Sequence, residues 1–448
     1  MSASTSVFYR SLKKPLPRIV SGQGCWLTDA AGKRYLDACG GAFVANLGHG
    51  VKEIAQAVGQ QLEQVAYVNG TAFTNGPAEE LAEELSGLMP KSLSKFYFLS
   101  SGSEAVEAAL KMARQYWAER GKPGKHKIIA RAPGYHGNTL LALSASARGH
   151  YKVLYGDWLV PVPMIPAPYP YRCGCQGAPD CPACSGSALE DAILKEGAGS
   201  VAAFIAEPVG GSSTGASVPR PDYYRRIRDI CDANEVLFVA DEVLCGAGRT
   251  GRWTAIERYG VRPDIMTMGK GLSGGYVPLS MVAASDQVHA AIKQGSGAFN
   301  HAQTFSHAPS ICSAGLAAVR YIKKNKLVAR AESVGAVLQT KLSALKSLPG
   351  VGDVRGIGML AGVEFVADKA EKTPFPRELK VAERFADNAR EAGLVVWPNY
   401  GQWRGAGDLA LIAPPFVITE GEIDDIVSLF SKAWPKTLDQ IKAAGRTA

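Results

Sequence analysis

Long apolar runs are missing from this chain: no segment approaches the roughly 18 consecutive apolar residues that a membrane-spanning helix needs. The opening residues, MSASTSVFYRSLKKPLPRIV, hold no uninterrupted apolar stretch with a small-residue cleavage site after it, so no secretory signal is expected there. Internal repeats and low-complexity tracts are lacking too. Charge of one sign is not concentrated anywhere. The 49 basic and 41 acidic residues are spread along the chain, and the formal charge of +8 does not argue for a nucleic-acid groove. It is compatible with anionic small substrates. The expectation is a soluble cytoplasmic protein, with neither membrane nor nucleic acid among its partners, whose nine cysteines are mostly thiols. Cys25, Cys39, Cys231, Cys245 and Cys312 are scattered and read as small core residues.

With 448 residues, 46% of them hydrophobic, the chain can bury a sizeable core, and its length suggests two or three domains. Short apolar runs at 127–130, 201–206, 236–240, 265–268 and 281–284 alternate with amphipathic helices, as in a parallel α/β sheet covered on both faces. Within 103–120, Val106, Ala109, Leu110, Ala113 and Trp117 form one helical stripe. Asp222 is expected to cap a helix ending near Asn234. After residue 315 the character changes to long helices, a strand pair near 356–366 and a last helix from Glu420. The reading is therefore an N-terminal part of a small domain over 1–60, a large cofactor-binding domain over 61–314 and a C-terminal small domain over 315–448.

Four local features follow one another in the order that a phosphate-bearing aldehyde cofactor would need. Ser100-Ser101-Gly102-Ser103-Glu104 opens a helix, where free N–H groups and the helix dipole favour an anion, although a plain N-cap reads the same way. Gly134-Tyr135-His136-Gly137 lets the backbone approach a ligand and offers a flat ring, or is an ordinary turn. The apolar strand 238–243 ends in Asp241, at the edge where open α/β sheets bind ligands; there an aspartate can hold a pyridinium nitrogen protonated or merely cap a helix. Finally, strand 264–268 runs into Lys270 between two glycines: either a surface lysine in a turn, or an amine whose burial lowers its pKa enough to attack an aldehyde.

Together these residues resemble the class III (subgroup II) aminotransferases of pyridoxal phosphate fold type I, over nearly the whole chain, and in particular the transaminases that use pyruvate with amines or ω-amino acids. The most specific stretch is DEVLCGAGRTGRW from Asp241, followed by Lys270 in MGKGLSGGYVPLS. The resemblance implies an α/β fold, with a large domain built on a mostly parallel seven-stranded sheet and a smaller α+β domain. It implies pyridoxal 5'-phosphate as cofactor, with Lys270 as Schiff base and proton shuttle and Asp241 on the ring nitrogen as the catalytic pair. Gly102 and Ser103 would hold the phosphate, Tyr135 and Val243 would cover the two faces of the ring, and His136 and Glu207 would lie beside it. Thr304, in HAQTFSHAP, matches a threonine that reaches the neighbouring subunit's phosphate, which implies a homodimer or a dimer of dimers with shared active sites. That loop departs at His307 and Ala308 from the commoner Thr-Tyr/Phe-Ser-Gly-His pattern.

On the substrate side, Arg404 looks like the family's mobile carboxylate-gripping arginine, since a guanidinium can form two parallel hydrogen bonds to a carboxylate. Relatives let it pair with the residue matching Glu207. Phe43 stands where amine and ω-amino-acid transaminases often have a tryptophan, and it lines the pocket or belongs to the core. The implied activity is transfer of an amino group from an amine or ω-amino acid to a 2-oxo acid, pyruvate foremost, by a ping-pong route. Aminomutase, racemase and decarboxylating transaminase chemistry begin in the same way; Arg404 favours transamination, and intact Lys270 and Asp241 speak against a non-enzymatic zinc-loop protein. No catalytic metal is expected. Cys173-Gly-Cys175 and Cys181-Pro-Ala-Cys184, with no histidine nearby, are left between a structural zinc, disulfides and reduced loop thiols.

Overall fold

The computed structural model describes residues 5–175, 178–400 and 407–445. Its centre is a seven-stranded sheet. Across it the strands run Leu93–Leu99, Ser280–Ser285, Ile265–Met268, Leu237–Asp241, Val201–Ala206, Lys127–Ala132 and Met164–Pro166. All are parallel except Ser280–Ser285, which pairs antiparallel with both neighbours. The exception has a local cause. The link from Met268 to Ser280 carries no crossover helix, so the chain must return antiparallel beside the strand it left. Lys270 lies in this link and is thereby kept at the sheet's edge.

Period-two alternation sends the strand side chains into two apolar layers. Phe204, Phe238 and Met266 join one layer, whereas Ala203, Ile205, Leu237, Val239 and Ile265 join the other. The helix Gly102–Glu119 covers the second layer with the stripe Val106, Ala109, Leu110, Ala113 and Trp117, every member of which is buried. Val106 and Leu110 each contribute on the order of 1.5–3 kcal/mol when fully removed from water. Ser101 caps this helix in a reciprocal box: its Oγ accepts from the Glu104 amide at 3.3 Å, and Glu104 accepts from the Ser101 amide at 2.8 Å. On the other side of the sheet, the helix Tyr223–Ala233 is not capped by the Asp222 side chain. Asp222 has helical backbone angles, outside the extended region a cap uses, and its carboxylate pairs with Arg220 at 2.9 Å.

Two smaller sheets complete the fold. Ile19–Gln23, Trp26–Asp29 and Arg34–Asp37 form an antiparallel meander, and Leu394–Val395 adds a parallel strand to it from far along the chain. Val351–Ile357, Leu360–Phe365, Leu409–Ile412 and Trp397–Asn399 form the other, entirely antiparallel. The last helix, Glu420–Gly445, packs on the latter through Phe365, whose ring stacks 4.4 Å from Trp434. The scattered cysteines Cys25, Cys39, Cys231, Cys245 and Cys312 are all buried and unpaired. Among the described residues, no helix is long and apolar enough to cross a membrane.

Candidate active site

Because six strands point the same way, the loops that leave their C-terminal ends converge. Leu93–Leu99 delivers Gly102 and Ser103; Lys127–Ala132 delivers Tyr135 and His136; Val201–Ala206 delivers Glu207; Leu237–Asp241 ends in Asp241 and leads to Val243; Ile265–Met268 delivers Lys270. All of these, with Phe43, line one cavity of about 290 Å³. Open α/β sheets bind ligands at this edge.

Asp241 is the best-defined group of the cavity. It is buried, and its Oδ2 lies 2.7 Å from His136 Nδ1. Its Oδ1 accepts from Thr267 Oγ1 at 3.0 Å and from the Val243 amide at 3.1 Å. Thr267 is there by register, as the residue paired with Asp241 on the neighbouring parallel strand. Glu207 is buried as well, and burial pushes its carboxyl up against the opposing charges of His136 and Arg131. Its two oxygens accept from the Gly211 amide at 3.0 Å and the Tyr135 amide at 3.4 Å.

Lys270 has a left-handed backbone (φ 45°), unusual for a residue with a side chain, and its glycine neighbours leave room for that turn. Its Nζ sits 5.8 Å from the Phe43 ring centroid. Burial lowers its pKa, against the pull of Asp241 and Glu207 toward the charged form. Two glycines are fixed by close approach. A Cβ on Gly102 would meet Val243 Cγ1 at 2.6 Å, and one on Gly137, whose φ is 146°, would meet Ser103 Oγ at 2.7 Å.

Several cavity residues escape a reading of the sequence. The Arg148 guanidinium lies 4.7 Å from the Tyr135 ring centroid and donates to Asn399 Oδ1 at 2.9 Å and to Ser212 Oγ at 2.5 Å. Burial lowers its pKa. No local pattern distinguishes Arg148 from a surface arginine, because its partners come from distant parts of the chain. Trp397, 5.4 Å from the Phe43 ring, adds an aromatic wall from the C-terminal sheet. Thr267 was within reach of inference from strand pairing alone.

Among the described residues, one expected site residue is not brought into the cavity. Thr304 is exposed in a turn and does not line it, while the adjacent Gln303 donates to Ser100 Oγ at 3.1 Å. Arg404 lies outside the described residues, so its pairing with Glu207 does too. The described partners of the Glu207 carboxylate are instead the two backbone amides.

The free donors and acceptors suit pyridoxal phosphate. Among the described residues, the amides of Gly102 and Ser103 at the helix N-terminus meet no acceptor, and Lys270 Nζ makes no hydrogen bond. His136 Nε2 is buried without a partner. Hydrogen-bond donors suited to a phosphate, an amine and a buried carboxylate thus face one space.

The family model for class III aminotransferases matches residues 9–434. The chain belongs to the class III aminotransferase family. It is 35% identical to the putrescine–pyruvate aminotransferase of Pseudomonas aeruginosa, over 97% of this chain and 93% of that protein. It is 37% identical to the diaminobutyrate–2-oxoglutarate transaminase of Halomonas elongata, over 95% and 92%. Its structure superposes with TM-score 0.90 on the PLP-bound form of an amine transaminase from an uncultivated Pseudomonas species, at 33% identity and over 98% of this chain and 100% of that one. This class III enzyme is therefore a pyridoxal-phosphate-dependent transaminase of fold type I.

Proposed function

We propose that the enzyme moves an amino group from an amine or ω-amino acid to a 2-oxo acid, pyruvate foremost, with the donor's carbonyl product leaving before the acceptor binds. The observation that carries this reading is the unpartnered Lys270 amine facing Asp241 across a cavity with uncharged aromatic walls, Phe43 and Trp397. Pyridoxal phosphate, when bound, supplies an electron sink for the carbon that loses its proton. Lys270 Nζ is the amine that would hold its aldehyde and would carry a proton to and from the donor carbon. A lowered pKa keeps part of the Nζ population neutral for both tasks.

Asp241 would oppose the charge of a protonated ring nitrogen, and His136 and Thr267 orient its carboxylate. Gly102 and Ser103 would offer N–H groups to the phosphate, and Tyr135, Val243 and Glu207, which line the same cavity, would hold the ring. Thr304 acts in the neighbouring active site, so that the working unit is a homodimer or a dimer of dimers; its exposure on a single chain is consistent with this.

For the acceptor, Arg148 is the one buried guanidinium lining the cavity among the described residues, and it offers charge-assisted hydrogen bonds to a carboxylate. Arg404 remains the proposed mobile carboxylate grip. The two relatives named above use different acceptors at similar identity, so the support for pyruvate is the character of these walls. We place the enzyme in the cytoplasm, whose reducing conditions suit cysteines that form no disulfide.

The test uses cofactor-loaded enzyme and β-alanine without acceptor. A stoichiometric carbonyl product and bleaching of the visible absorbance, reversed by pyruvate and lost in Lys270→Ala, are the expected results. Carbonyl product formed only when both substrates are present would overturn the two-stage order. No response to any amine would overturn the donor class.

A further inference from the structure

The catalytic reading leaves one cluster of chemically potent side chains unused. Cys173, Cys175, Cys181 and Cys184 come from a loop between the strand Met164–Pro166 and the helix Ala188–Glu196, and none of them lines the cavity. Their four Sγ atoms all lie within 4.8 Å of one another. Cys173 and Cys181 are 3.4 Å apart, and Cys175 and Cys184 are 3.6 Å apart. A disulfide requires about 2.05 Å. The corners of a tetrahedron with zinc–sulfur bonds of about 2.3 Å are separated by about 3.8 Å. The spacing is thus too long for disulfides and the right size for four sulfurs around a single ion.

Backbone turns, rather than side-chain packing alone, make the four converge. The Cys173 amide donates to Tyr169 O at 2.8 Å, and the Cys184 amide donates to Cys181 O at 3.1 Å within the turn Pro182–Ser185. Each ligand pair is thereby presented from its own turn. Cys184 is buried and the other three are half-buried. Four protein sulfurs leave no open coordination position, which marks a structural rather than a catalytic site. We propose that Cys173, Cys175, Cys181 and Cys184 bind one structural Zn²⁺ as thiolates.

The knot has something to brace. Just before it, Tyr169 OH donates to Glu364 Oε2 at 2.7 Å, and Arg172 Nε donates to Glu364 Oε1 at 2.6 Å. Glu364 is completely buried in the C-terminal antiparallel sheet, and its Oε1 also accepts from the Gly407 amide at 3.1 Å. Lys372 adds a bond to Tyr171 O at 3.0 Å. The zinc therefore fixes the segment that couples the edge of the large sheet to the C-terminal sheet.

Metal analysis of the full-length, cofactor-loaded enzyme, purified without chelator, is the deciding measurement. One zinc per chain is expected, with X-ray absorption showing only sulfur neighbours at about 2.3 Å. Cys173→Ser/Cys181→Ser should drop zinc to background and lower the unfolding temperature by several degrees, with the visible absorbance of bound cofactor retained in the folded fraction. Should the double variant not fold, wild-type metal content and X-ray absorption still decide. Zinc absent from wild type and not taken up on addition, iron in its place, or an intact mass showing disulfides would each overturn the assignment.

Discussion

Gly102 offers a quantitative test of how the cavity is assembled. An alanine Cβ there would sit 2.6 Å from Val243 Cγ1 and 3.2 Å from Cγ2, but 3.6 Å from Val243 Cβ. Carbon atoms prefer about 3.5–4.0 Å, so the first two contacts are repulsive and the third is ordinary. Val243 is β-branched and stiff at χ1, and its amide is tied to Asp241 Oδ1 at 3.1 Å, so it cannot easily swing away. Overpacking of this kind costs about 1–3 kcal/mol. The helix preference for alanine over glycine recovers at most about 1 kcal/mol, and less at the first helical position. Strain should win. Since the displaced atoms line the proposed cofactor site, Gly102→Ala is expected to weaken cofactor binding by about 5- to 150-fold, the equivalent of 1–3 kcal/mol. The assay is titration of the apoenzyme with pyridoxal phosphate, followed by visible absorbance, alongside a thermal scan. Gly102→Ala/Val243→Ala leaves only the 3.6 Å contact and should recover most of the loss relative to Val243→Ala alone. Wild-type affinity in Gly102→Ala, or no recovery in the double variant, would refute the crowding argument.

Two further outcomes follow from buried charge. Arg148→Gln should raise KM for the 2-oxo acid about 10- to 150-fold, as expected for loss of charge-assisted hydrogen bonds worth about 1.5–3 kcal/mol, while the half-reaction of an amine lacking a carboxylate suffers much less; equal losses in both would assign Arg148 a structural role. Glu242 is raised from 4.5 to about 7 by burial, although the Ala255 and Ile256 amides at 2.9 and 2.8 Å favour its ionised form. A raised folded-state pKa means that its contribution to stability is full below about pH 4.5 and is lost as pH rises through 7, by up to about 3 kcal/mol. Glu242→Gln, compared with wild type in thermal scans from about pH 5 to 8, should therefore gain relative stability as pH rises, on top of a constant loss from one amide contact. A gap independent of pH would show that Glu242 is ionised throughout.

The parts of the site that could be read from the sequence are those delivered by the ends of strands. Asp241, Lys270, Glu207 and Tyr135 each follow a short apolar run directly, so strand direction alone sends them to one edge. Burial, pairing and strain then depend on contacts that no local pattern carries. Arg148 is placed by Ser212 and Asn399, the latter 251 positions away, and Trp397 reaches Phe43 from the C-terminal sheet. The antiparallel strand at 280–285 looked like its parallel neighbours because complete burial erases the alternation that distinguishes strand environments. The Asp222 cap failed for another reason: residue type favours a cap, but the backbone there is already helical.

The stretch from Asp241 to Trp253 is so recognisable because one short segment meets three separate demands. Alternation at the strand end turns Asp241 and Val243 into the cavity, while Glu242 points the other way and accepts the Ala255 and Ile256 amides. Eight residues on from Asp241, the fully buried Arg249 donates to Pro414 O at 2.6 Å, to Met359 O at 3.2 Å and to Asn46 Oδ1, tying the loop to both smaller sheets' surroundings. A change that spares the chemistry can thus still break the fold, and the converse. That coupling separates two kinds of loss: variants of Asp241 should lose turnover with the fold intact, whereas Arg249→Leu, which leaves three buried acceptors unpaired, should lose stability first, by about 1–3 kcal/mol for each acceptor left without a partner.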